Sequence, residues 1–190
     1  MGQNALAAVG STGNLTNLVV NFYVGLSTGA SVVIAQYYGA HNKGKIHQAV
    51  HTSYMLAIVS GIIMMLFGLF FSYQCLDAIG VPHDILNDAS LYMKLYFLGM
   101  IPGAIYNIGS GILRAVGDSK RPLYYLIICS IVNVVFDFVF VVILHKGIAG
   151  AAIATFIAQT VCAILVTLQL IFLKMFINLH YQKLNFIYLY

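Results

Sequence analysis

The chain has 190 residues, of which 61% are hydrophobic and only 7% are charged, whereas about 25% of the residues of a soluble domain are charged. This composition excludes an ordinary soluble domain and indicates an integral membrane protein. The net charge of +4 comes from nine scattered Lys and Arg residues against five acids, which excludes a nucleic-acid-binding patch. We therefore expect an all-α, polytopic membrane helix bundle with no soluble domain.

Five apolar runs are long enough to cross the bilayer as helices, each of which needs about 20 residues. They cover residues 15–38, 50–73, 89–113, 122–144 and 147–173. Polar loops with Gly or Pro separate them, and the 74–88 loop is long enough for a short interfacial helix. Pro102 lies inside the third run, where its missing N–H predicts a kink.

The basic residues predict the orientation of these helices. Seven lie in the 39–48 and 114–121 loops and the C-terminal part, and only Lys94 and Lys146 fall on the other side. The positive-inside rule places the richer side in the cytoplasm. The chain would then begin outside without a signal peptide, which we interpret as a truncation.

Small residues and cysteines suggest how the helices meet. Small residues at four-residue spacing predict close helix packing, and they occur at Gly25 and Gly29, Gly99 and Gly103, and Gly150, Ala154 and Ala158. Three cysteines lie far apart in apolar stretches: Cys75, Cys129 and Cys162. They lack the paired spacing of a zinc site or a disulfide framework, so we expect inert, buried thiols and no metal site.

Two motifs near the second helix are rejected on their chemistry. The segment from Gly39 to Lys45 matches a phosphate-binding loop, but Ile46 replaces the Ser or Thr that would hold magnesium. His47 and His51 have the spacing of a zinc protease motif, but Gln48 replaces the general-base Glu. We expect a solvated cytoplasmic helix start here.

Asp137 is the only acid inside a predicted membrane helix. A carboxylate near mid-bilayer costs about 2.5–3.5 kcal/mol, so it calls for a partner, a cation or a proton. Asn133 lies one turn earlier on the same face, and no basic residue well inside a helix is available for pairing. The pair suits a hard cation or a proton, or alternatively a protonated Asp137 that is hydrogen-bonded to Asn133 could hold helices together. Thr155 and Gln159 could face the pair from the next helix, or serve only as packing or backbone-bonded side chains.

Blocks of sequence along nearly the whole chain resemble the multidrug and toxic-compound extrusion (MATE) family. They are GLSTGASVVIAQYYGA from Gly25, YFLGM from Tyr96 and ILRAVGDSKRPL from Ile112, followed by residues 133–137 and 147–159. The resemblance implies a twelve-helix antiporter in the prokaryotic plasma membrane, built of two six-helix lobes. Such an antiporter exports small organic, often cationic compounds in exchange for sodium ions or protons and needs no cofactor.

Within that family, the chain would be an incomplete N-terminal lobe, residues 1–190, supplying helices two to six. The resemblance implies an ion or proton site at Asn133, Asp137 and Thr155, and it places Asn107 near the substrate cavity, to which we also assign Gln159. The family's first helix carries a further Asp, whereas residues 5–10 resemble only the stretch after it. The partners would then be that first helix, the second lobe and the lipid bilayer.

Three interpretations follow, and antiport through Asp137 is the one we favour. A lipid-linked precursor flippase of the same superfamily would need basic residues in its cavity, and the predicted helices place none well inside. A truncated membrane fragment that does not transport is the third. An enzyme is not expected, because no helix offers a second acid, a Ser/His pair or a metal set beside Asp137.

Overall fold

The computed structural model describes residue 7 and residues 10–187, with side chains as far as residue 172. Most of the 5–10 stretch therefore lies outside the described residues. The helices are α1 (Gly13–Gly39), α2 (Lys43–Ala78), α3 (His83–Leu98), α4 (Met100–Ala115), α5 (Lys120–Asp137) and α6 (Gly147–Ile187). A π-helical stretch, Phe138–Ile143, continues α5. The all-α prediction is confirmed.

The predicted membrane crossings correspond to these helices. Four are long and apolar enough to span a bilayer, and α3 with α4 forms a pair bent by 50° that can count as a fifth. The protein is therefore a multi-pass membrane protein. The 74–88 loop, which the sequence left long enough for a short interfacial helix, is shorter than that, because α2 and α3 extend beyond their apolar runs and only residues 79–82 join them.

Local sequence explains where α2 begins and ends. The side chain of Asn42 accepts a hydrogen bond of 3.2 Å from the backbone amide of Lys45, which satisfies one of the free N–H groups of the first turn. At the other end Gly80, with a φ of 79°, closes the helix in the left-handed conformation that glycine adopts without strain. Short loops between long helices are the result.

The bend between α3 and α4 confirms the kink predicted from Pro102. Proline has no N–H to bond the carbonyl of Leu98 four residues earlier. The chain instead closes a tighter turn, in which the Gly99 amide donates to the Tyr96 carbonyl at 3.0 Å. The bend thus lies one turn before the proline.

Glycines allow α2 to approach the bent pair closely. A Cβ added to Gly68 would overlap the ring of Phe97, and one on Gly61 would lie 2.8 Å from the Cα of Ile101. No larger residue fits at either crossing without moving the neighbouring helix. Sequence spacing did not identify these two glycines.

The glycine pairs predicted to pack have different outcomes. Gly150 is confirmed as a contact, since a Cβ there would lie 3.0 Å from the Cβ of Phe140. For Gly25 and Gly29 the prediction is wrong, because a Cβ on either would meet no heavy atom within 4 Å. Both face an open groove on the side of α1.

Candidate ion and substrate site

The α5–α6 hairpin carries most of the predicted site. Cys129 on α5 and Cys162 on α6 are bonded to each other, with Cα atoms 5.9 Å apart, so the expectation of inert thiols is wrong for these two. Cys75 is free and half-buried. Cys129 and Cys162 lie equally far from the turn between the helices, which is why an antiparallel hairpin brings them together.

The register of this hairpin places the predicted residues at matching depths. Residues equally far from the turn as the cysteine pair lie level, because both helices rise by about 1.5 Å per residue. Asp137 is then level with Ala154, next to Thr155, and Asn133 is level with the residue before Gln159. The antiparallel arrangement therefore stacks two polar layers one helical turn apart.

On α5, the two layers hold one carboxylate and one amide. Asp137 and Asn133 are half-buried, and each has one buried side-chain atom, Oδ1 of Asp137 and Nδ2 of Asn133, without a hydrogen-bond partner in the described structure. Leaving such an atom unpaired costs about 1–3 kcal/mol. These two atoms are therefore not hydrogen-bonded to each other. The alternative of a protonated Asp137 that holds helices together requires a hydrogen bond between the two residues.

Asp137 lies towards one end of its apolar span. The apolar span runs from Lys120 to Ile143, so Asp137 is about 9 Å from the Ile143 end and about 26 Å from the other. The surface it approaches is the one we predict to be outside.

Thr155 and Gln159 differ in how their polar groups are used. The hydroxyl of Thr155 donates to the carbonyl of Ala151 at 3.0 Å, which leaves its lone pairs as acceptors or ligands. The Oε1 atom of Gln159 is buried without a partner. It lies against Gly99 and Gly103 at the bend, so close that a Cβ on Gly99 would collide with it.

Asn107 lies one turn beyond this contact on α4. Its side-chain amide donates to the backbone carbonyl of Gly103 at 2.8 Å. Its backbone carbonyl accepts a hydrogen bond of 2.6 Å from the hydroxyl of Ser27 on α1. Gly103 thus links Asn107 with Gln159, the two residues predicted for the substrate cavity. No contact joins Asn107 to Asp137 among the described residues.

Two features near Asp137 were missed by the sequence. The helix widens into the π-helical stretch directly after it, a distortion that is common at functional sites. Tyr92 on α3 interacts electrostatically with Asp137 and stacks on Tyr96, with ring centroids 6.2 Å apart. A tyrosine in an apolar run 45 positions away carries no local signal of this interaction.

Lys94 corrects one further expectation. Because α3 begins at His83, Lys94 lies about 17 Å along the helix, so the statement that no basic residue lies well inside a helix is wrong. It follows Tyr92 by two residues and therefore points to a different side of α3. Consistent with this, it makes no salt bridge with Asp137 in the described part of the chain.

Comparisons with known proteins agree with this architecture. The MatE family matches residues 1–139. The chain is 30% identical over 162 residues to the probable multidrug resistance protein YoeA of Bacillus subtilis, covering 83% of this chain and 35% of that protein. It is 25% identical over 167 residues to the probable multidrug resistance protein NorM of Thermotoga maritima, covering 86% of this chain and 36% of that protein.

Solved structures give the same result. A crystal structure of MATE in the bent conformation superposes with a TM-score of 0.83 at 27% identity, covering 87% of this chain and 37% of that one. A crystal structure of MATE in the straight conformation superposes with a TM-score of 0.82, covering 89% of this chain and 38% of that one. The chain thus spans little more than a third of the length of these relatives.

Proposed function

Because the chain belongs to the MatE family, we propose that it forms part of the N-terminal lobe of a secondary transporter that exports drugs or other organic compounds in exchange for sodium ions or protons. The rest of that transporter, a first helix and a second lobe, would complete the path. Such a function needs an ion site whose affinity for the ion differs between the inward-open and outward-open conformations.

The unpaired polar atoms of Asp137 and Asn133 carry this proposal. A buried carboxylate oxygen without a partner is favourable only if a proton or cation binds it. The amide of Asn133 can present its oxygen or its nitrogen, and the hydroxyl of Thr155 has acceptor capacity at the same depth. These three groups could supply oxygen ligands for sodium or hydrogen-bond partners for a protonated acid.

The substrate cavity is proposed on the deeper side of this site. Gln159 and Asn107 lie around Gly103 at the bend between α3 and α4. The unpaired Oε1 of Gln159 is an acceptor, which suits a cationic or hydrogen-bond-donating organic compound. Ion binding at Asp137 and Thr155 and substrate binding at Gln159 would then both act on α6.

Replacing Asp137 by Asn tests the proposal in the transporter that carries both lobes. The variant keeps the side-chain size but removes the charge, so the helix should insert at least as readily. We expect normal amounts in the membrane and no acceleration of drug efflux by a sodium or proton gradient. Asn133→Ala and Thr155→Ala should weaken the same acceleration less, because each removes a neutral group.

Asp88→Asn is the matched control, since Asp88 is an exposed acid on α3. It should leave gradient-driven efflux unchanged. If Asp137→Asn retained efflux at the wild-type rate, Asp137 would have to be assigned to packing and the ion site would lose its basis.

A lipid-linked precursor flippase is a second candidate, and Lys94 is the observation that favours it. A half-buried Lys well inside α3 could bind the phosphate of such a substrate. Lys94→Gln separates the two functions, because it should abolish flipping of an anionic lipid precursor but leave drug efflux intact.

A further inference from the structure

A groove opens on the side of the bundle between α1 and α2, away from the ion and substrate site. Its volume is about 560 Å³. Gly25, Gly29 and Val33 of α1 and Leu56 of α2 form its apolar part, and Lys45 and Gln48 of α2 lie at its polar end. The groove follows α1 from Gly25 to Tyr37, about 18 Å, which is close to the depth of one leaflet of the bilayer.

Glycine creates the space in this groove. A Cβ on Gly25 or on Gly29 would meet no heavy atom within 4 Å. Larger side chains could therefore be accommodated by the fold at both positions, and their absence leaves a channel along α1. An acyl chain needs a narrow apolar slot of this kind rather than a rounded pocket.

The polar end of the groove carries an unneutralised positive charge. The Nζ atom of Lys45 lies 5.5 Å from the centroid of the Tyr37 ring, a cation–π contact that orients the ammonium group without neutralising it. No acidic side chain pairs with Lys45 in the part of the chain that the structure describes. The 39–48 segment contains a second lysine and no acid.

From this geometry we propose that the groove binds an anionic phospholipid of the cytoplasmic leaflet, with an acyl chain along Gly25 and Gly29 and the phosphate at Lys45. Basic pockets between membrane helices on the cytoplasmic side bind lipid head groups by the same combination. The positive end of the α2 dipole adds a favourable field for an anion. The segment from Gly39 to Lys45, which we rejected as a nucleotide-binding loop, would then bind the phosphate of a lipid.

Charge distinguishes the lipid from other occupants. A cationic drug would be repelled by Lys45, and a zwitterionic lipid such as phosphatidylcholine would gain less from it, because its choline group offsets the charge of its phosphate. A further helix of the transporter, such as the first helix with its Asp, is the competing occupant, and crosslinking in the complete transporter distinguishes it from a lipid. Lipid binding is independent of ion-coupled export, so either can fail without the other.

Photo-crosslinking tests the proposal. The chain is reconstituted into phosphatidylcholine nanodiscs that contain a small fraction of diazirine-labelled phosphatidylglycerol or, separately, of diazirine-labelled phosphatidylcholine. Labelled residues are then mapped by mass spectrometry. We expect phosphatidylglycerol to label the α1–α2 groove about fivefold more than phosphatidylcholine does, the preference that one basic residue confers at an anionic head group.

Two variants with matched controls separate the head group from the chain. Lys45→Gln should reduce the preference to about one, whereas Lys146→Gln, at the opposite membrane surface, should keep it. Gly29→Leu should fill the channel and lower labelling by both lipids, whereas Gly13→Leu, also in open space on α1, should not.

Three outcomes would overturn the proposal. They are equal labelling of the wild type by the two lipids, an unchanged preference in Lys45→Gln, and, in the complete transporter, crosslinks from the groove to another protein segment in place of lipid. Because Lys45 is an exposed side chain, its substitution should not unfold the bundle, so the test stands even if Gly29→Leu misfolds.

Discussion

Replacing Gly68 by Ala should destabilise the bundle, because the added methyl group would occupy the position of the Phe97 ring. Phe97 is only 1% exposed and therefore cannot turn outward. Restoring ordinary van der Waals contact requires the ring or the helix to move by roughly 1–2 Å, and overpacking of this kind costs about 1–3 kcal/mol. For a chain of this size, that lowers the melting temperature by about 2–12 °C.

Thermal denaturation in detergent, followed by circular dichroism, measures this change. Gly25→Ala is the matched control, since the same methyl group there enters open space and alanine favours a helix by up to about 1 kcal/mol over glycine. Gly25→Ala should therefore melt at or above the wild-type temperature. Adding Phe97→Leu to Gly68→Ala should recover part of the loss.

Equal melting temperatures for Gly68→Ala and Gly25→Ala would refute this reasoning. So would a Gly68→Ala defect that Phe97→Leu does not reduce, because the collision would then not be with the Phe97 ring.

Three further predictions concern function and topology. Gly99→Ala should displace the side chain of Gln159, which is flexible enough to move at little cost in stability, so the melting temperature should stay within a few degrees while the KM for exported substrates rises in the complete transporter; an unchanged KM would remove Gln159 from the cavity. In a cysteine-free background, a cysteine at Lys120 should resist an impermeant reagent added outside and one at Lys146 should react; the reverse pattern would invert the topology. The 190-residue chain reconstituted alone should not drive ion-coupled dye efflux, because alternating access needs one lobe to move against another; efflux would indicate a homo-oligomer.

Hydropathy predicted the crossings well because membrane helices must be long and apolar. It placed the start of α3 at 89, although the helix begins at His83. Asp84, Asn87 and Asp88 made the first turns look like a loop, yet a helix continues outside the apolar region as long as its backbone bonds are made. For the same reason, Lys94 was predicted to lie near the start of the helix, although it lies about three turns into it.

Contacts between helices were harder to predict than the helices themselves. The spacing of Gly25 and Gly29 is the same whether a glycine faces a neighbour or a groove, and only the rotation of α1 decides. The pairing of Cys129 with Cys162 depends on the register of α5 against α6, and the electrostatic influence of Asp137 on Tyr92 depends on where α3 lies relative to α5. These are tertiary quantities, which residue spacing within one helix does not contain.

Polar residues in this bundle divide into two groups by how their hydrogen bonds are satisfied. Hydroxyl side chains mostly donate to carbonyl groups three or four residues earlier in their own helix, as Ser53 does at 2.7 Å, and they need no ligand. The side chains with a buried, unpaired polar atom are few among the described residues: Ser110, Asn133, Asp137 and Gln159. A fold built for stability alone would avoid these costs, since apolar residues of similar size would be free of them. Three of the four lie on the α5–α6 hairpin, in the two polar layers set by its register. A bound ion and a bound substrate would supply the missing partners, which is a reason to place both at this hairpin rather than in the well-packed crossings of α2.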